Sequence, residues 1–141
     1  MSPEALFVSG LTIITIPTIQ FGGTFLLSQL GSRAAGYMDN PLRRGMFTAG
    51  HAHAGVLVLL TLIVQPLIDQ TGLAGAASWL VRFGFVVSAI LVSAGFFLAV
   101  ASPSATKPGP LLRLVYIGAL LLAICLLIVG VSLVSTSGVL S

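Results

Sequence analysis

The chain has 141 residues, of which 57% are apolar and only nine, three acidic and six basic, carry a full charge. Soluble domains place about a quarter of their residues in charge, so 6% excludes an ordinary water-soluble globule. The net charge of +3 comes from a few loop cations rather than a basic stripe interleaved with aromatics, which argues against nucleic acid as a partner.

Breaks at charged and Pro/Gly-rich stretches divide the chain into four apolar helices, near 5–30, 41–68, 79–101 and 111–135. Each is longer than the roughly 20 residues that cross about 30 Å of hydrocarbon. The expected fold is an all-α integral membrane domain, an antiparallel bundle of four transmembrane helices surrounded by lipid, with no separate soluble domain. The first helix is not read as a cleaved leader, because Met1–Glu4 contains no basic residue and the apolar stretch is about twice a leader's. Pro17 and Gly22–Gly23 should loosen it. Gln20 and Thr24 share one of its faces, where hydrogen bonding between helices is favoured over a proton path or a quinone contact.

The second helix is expected to begin at Pro41, behind an Asp39–Asn40 cap. Both histidines of the chain follow in the run Ala49–Gly50–His51–Ala52–His53–Ala54–Gly55. Gln65 and Asp69 continue the His51 face toward the far boundary. The third and fourth helices carry no comparable cluster. The links 31–45, 69–78 and 102–110 are short, so consecutive helices should be antiparallel neighbours. Tyr37, Trp79 and Tyr116 fall near predicted boundaries as interfacial aromatics. Cys125 is the only cysteine, so no internal disulfide exists; it and Met38 and Met46 are read as packing groups rather than soft-metal ligands. Arg33, Arg43, Arg44, Lys107 and Arg113 collect on one side and Arg82, Glu4 and Asp69 on the other. By the positive-inside rule the first side is cytoplasmic.

His51 lies roughly 7–8 Å below the start of the apolar span. An imidazole there is costly unless paired and marks a functional site by default. Residues two apart on a helix point some 200° away from each other, so the pair cannot close on one small ion as an i, i+4 pair does. It suits two separate sites on opposite faces. Gly50, Ala54 and Gly55 keep bulk away and would admit a flat ligand such as a porphyrin, while Arg43 and Arg44 stand about 10–12 Å up the axis, within reach of propionates. The alternatives are another metal, or two imidazoles that only hydrogen-bond neighbouring helices.

The run Met46–Leu57 resembles the haem-ligating helices of the heme-copper oxidase catalytic subunit. In that family a His-x-His pair ligates two haems on opposite faces of one helix, and twelve helices form three arcs of four. The resemblance is specific over about a dozen residues and architectural over the rest. It implies that this chain is one arc and that a homotrimer rebuilds the twelve helices. It further implies that His51 of one copy and His53 of the next hold a b-type haem at each interface, with iron favoured over copper. Because no further histidine exists, the adjacent-histidine and histidine–tyrosine features of the family's copper centre are missing, and dioxygen reduction is not expected. The family's link between its first two helices faces outward, against the cation count, so sidedness stays open. The function expected is electron transfer or redox sensing, with a membrane quinol as one candidate donor. A five-coordinate haem acting on a gas or peroxide and a haem-free membrane scaffold are the competing readings.

Overall fold

The structure, a computed structural model, describes residues 1–139. It contains four long helices: α1 (Pro3–Gly31), α2 (Pro41–Ile68), α3 (Gly75–Leu98) and α4 (Arg113–Thr136), the last entered through a short 3₁₀ turn at Pro110–Leu112. All four are long and apolar enough to cross a membrane. Their starts follow local chemistry. Ser2 Oγ accepts the amide of Ala5 and Pro3 fills the first turn of α1; Asn40 Oδ1 accepts the amide of Arg43 and Pro41 opens α2, as expected for a capping residue followed by proline. α3 begins at Gly75 rather than near 79 and ends at Leu98 rather than near 101. Its apolar pattern therefore sits within a helix shifted toward the polar second link.

The helices pack in chain order. α2 lies against α1 and α3, and α3 lies against α4, whereas α1 and α4 share no contact among the described residues. The expected bundle is therefore an open antiparallel arc. Hydrogen bonds fix the alternation: Ser2 at the start of α1 meets Asp69 at the end of α2 and Arg82 in the first turns of α3, and Thr136 at the end of α4 meets the Gln70 carbonyl. α3 is the central helix. Half of its most apolar stretch is buried, against 17% for α1 and α4, so the outer helices leave most of their apolar surface uncovered. Glycines allow the close α3–α4 approach: a methyl group on Gly95 would stand 2.7 Å from the Val115 amide nitrogen, and one on Gly118 3.0 Å from that of Val92.

One apolar cluster (Val64, Ile68, Val81, Phe85, Cys125, Val129) joins α2, α3 and α4 near the Asp69 end. Another, around Leu26, Tyr37, Phe47 and Val100, lies under the first and third links at the opposite end. Tyr37 is buried and so belongs to that core rather than to an interfacial belt, because the first link folds down onto α2. Met38 and Met46 pack around it. In α1 the buried line Ala5, Val8, Thr12 is not resumed until Leu26. The middle of α1 stands off from α3 and leaves a groove of about 270 Å³ lined by Thr12, Thr15, Thr61, Ala54, Ile90 and Ser93.

Candidate functional site

The capped start of α2 sets the phase of everything after it. Gly50 turns toward α3, His51 toward α1 and His53 toward the other flank of α3, so the two imidazoles occupy opposite sides of one helix, as their spacing requires.

His53 is exposed, and its Nδ1 lies 2.8 Å from the Ala49 carbonyl oxygen. A carbonyl oxygen only accepts, so Nδ1 is the donor, and in the neutral ring Nε2 is the nitrogen with the lone pair. The ring stacks on Phe96 of α3, with centroids 5.0 Å apart and planes inclined by 29°. His51 is half-buried and meets its own α1. A methyl group on Gly23 would lie 3.1 Å from its Nε2, and one on Gly22 3.5 Å from its Nδ1. The ring seats there because both positions lack side chains. Neither ring nitrogen of His51 has a hydrogen-bond partner among the described residues. It shares a cleft of about 280 Å³ with Ile16, Ile19, Gln20, Gly55 and Leu59.

The small residues divide their roles. Gly50 does not present open space to a flat ligand: a methyl group there would lie 3.0 Å from Phe96 Cβ and 3.1 Å from the Phe97 ring. Its missing side chain is used by α3. Ala54 lines the α1–α3 groove. Gly55 has nothing within 4 Å of where its Cβ would stand and opens into the His51 cleft.

The two arginines above the histidines also differ. Arg43 directs Nε at the Val100 carbonyl, Nη1 at Gly36 and Nη2 at Ala101, at 3.2–3.4 Å, and its guanidinium lies 4.6 Å over the Phe47 ring. Two of these bonds satisfy carbonyls just past the end of α3 and the third satisfies one in the first link, and together they use each of its nitrogens. Arg44 makes one long bond, 3.5 Å, to the Met38 carbonyl. Thr24 bonds the Phe21 carbonyl, whereas Gln20 faces the His51 cleft. Cys125 lies in the α2–α3–α4 core, away from these groups on the chain's other apolar cluster.

A polar network that sequence reasoning left unassembled lies at the far end. Arg82, only 2% exposed, donates to Ser78 Oγ, to the carbonyl and side-chain oxygens of Gln65, to Ser2 Oγ and to Asp69. The Asp69 ion pair spans 2.6 Å. The amide and hydroxyl of Ser2 also donate to Asp69. Burial pushes the Asp69 carboxyl up, but these donors and the guanidinium outweigh it and hold the group below its ordinary value. The signal was present: Arg82 falls inside the third apolar span, and such a charge needs a partner.

Compared with family models, with curated proteins and with solved structures, the chain matches none.

Proposed function

We propose that this protein is an integral membrane haem protein of a prokaryotic plasma membrane, working in electron transfer or redox sensing. His53 supplies one axial ligand and His51 of a neighbouring copy the other, with one b-type haem at each interface of a trimer. The observation that carries the reading is the His53–Ala49 hydrogen bond. Histidines that ligate metals commonly donate the second ring N–H to a carbonyl or carboxylate, which fixes the tautomer and raises ligand basicity. His53 has that arrangement, with its other nitrogen on an exposed face.

A bound haem supplies a one-electron iron couple, and the protein's levers on it are ligand identity, burial and nearby hydrogen bonds. Gly55 keeps the His51 cleft open, and Arg44, with a single long bond to the protein, is the better placed of the two arginines for a propionate. The open arc gives α1 and α4 each a free flank, which suits closure of several copies into a ring. A membrane quinol fits as donor because the histidines lie within the apolar spans.

One observation favours a second reading. His51 meets α1 of its own chain, which is the arrangement expected if His53 alone ligates and the opposite axial position takes a gas or peroxide. Absorption spectra of the purified protein before and after dithionite decide between them, together with metal analysis. Sharp paired visible bands, lost on substituting either histidine by alanine, support the shared bis-histidine site. A broad high-spin spectrum lost only in His53→Ala supports the single ligand. A colourless, iron-free preparation returns both readings to a haem-free scaffold.

A further inference from the structure

We infer that Phe96 is a positioning residue for His53 and that Gly50 acts through it. The inference rests on the haem reading for its spectroscopic arm only. An exposed imidazole on a helix has a broad, roughly two-fold choice at its terminal torsion, and both nitrogens can serve as donor or acceptor. Two contacts remove that choice here. The Ala49 carbonyl, one turn back on α2, takes the Nδ1 proton at 2.8 Å. The Phe96 ring lies along one face of the imidazole at 5.0 Å and 29°, near the offset-stacked geometry that aromatic pairs favour. A ring flip would bring Cδ2 to the Ala49 oxygen in place of Nδ1 and forfeit the hydrogen bond, and a ring turned out of its plane would draw Nδ1 off that oxygen. The stack on Phe96 opposes the turning.

Phe96 reaches this position because α3 comes close at Gly50. A methyl group there would stand 3.0 Å from Phe96 Cβ and 3.1–3.2 Å from the Phe97 ring, so both aromatics must shift. The Gly50 side-chain vacancy, Phe96 and His53 therefore form one mechanical chain from the α2–α3 contact to the outward nitrogen. In a site of this kind a misplacement of a few tenths of an ångström in the ligand plane alters the electronic structure of what it binds.

The test uses full-length protein with ¹⁵N-labelled histidine in lipid nanodiscs, and reads both the haem-free and the haem-bound forms. In haem-free protein the His53 ring nitrogens should report a single neutral tautomer protonated at Nδ1. Phe96→Leu and Gly50→Ala should each convert this to a mixture, and Phe96→Tyr, which keeps the stacking ring, should restore the single form. In haem-bound protein the largest g value of the oxidised low-spin or high-spin signal should shift in Phe96→Leu and Gly50→Ala and return in Phe96→Tyr, with haem still bound. Tautomer and g values unchanged in both variants overturn the inference, as does a wild-type His53 protonated at Nε2. Should wild-type protein carry no haem, the haem reading fails and the tautomer series alone decides the role of Phe96. If Gly50→Ala does not fold, the Phe96→Leu and Phe96→Tyr pair carries the same decision.

Discussion

At the scale of single residues, the group with most at stake is Arg82. Removing one member of a buried ion pair costs about 3–5 kcal/mol, because the other charge is left without compensation. Asp69→Ala should therefore lower unfolding stability by that amount in a detergent–urea titration. Replacing Asp69 and Arg82 together by leucine should recover most of the loss, so that the two substitutions fail to add. The pH dependence follows from the depressed Asp69 carboxyl. A group whose folded value lies below its unfolded one contributes stability above the unfolded value, about 3.9, and loses it as the pH falls through the folded one. Wild-type stability should drop across that acid window, and an Asp69→Asn titration should be flat there. A wild-type curve with the same slope as the variant would detach the carboxyl from the network.

At the scale of elements, the contrast among glycines is the sharpest handle. On α3, Gly95 meets the Val115 backbone and Gly84 meets Cys125 Sγ, whereas Gly130 on α4 and Gly10 on α1 have nothing within 4 Å of a built Cβ. Backbone cannot step aside as a flexible side chain can, so Gly95→Ala should cost about 1–3 kcal/mol through overpacking. Gly130→Ala should be neutral or gain roughly 0.5–1 kcal/mol from helix propensity alone. Equal unfolding midpoints for the two variants would show that the α3–α4 contact has room for a methyl group at Gly95. Asn40 has a double role, since its Oδ1 caps α2 while its Nδ2 donates to the Pro103 and Ala105 carbonyls. Asn40→Ala should cost more than the ~1 kcal/mol of a cap alone, and Asn40→Asp, which keeps the cap and loses the donors, should fall between. The start of α2 was readable from Asn40–Pro41 because capping is local chemistry. The displaced ends of α3 were not, because no side chain caps its start.

At the scale of the whole molecule, the arc is what distinguishes this chain from a self-contained four-helix bundle. Helices α1 and α4 stay apart, and the proposed trimer would give each of them a neighbour. Native mass spectrometry from a mild detergent should give three copies with up to three haems. A lone copy that retains haem would support the single-ligand reading, and loss of trimer mass in His53→Ala would tie assembly to the site.

Sequence by itself determined how many times the chain can cross a membrane, where α2 begins and that His51 and His53 point to opposite sides. These follow from hydrophobic length, capping and the 100° step of a helix, which act within a few residues. Only tertiary structure decided that His51 turns to its own Gly22–Gly23, that Gly50 is filled by Phe96 and Phe97, that Arg43 is taken up by carbonyls beyond α3, and that Arg82 is buried against Gln65, Asp69 and Ser2. Each of these pairs residues 13–80 positions apart, and what brings them together is the packing of apolar faces and the cost of an unpaired polar group in an apolar interior, neither of which is written in any one segment of the chain.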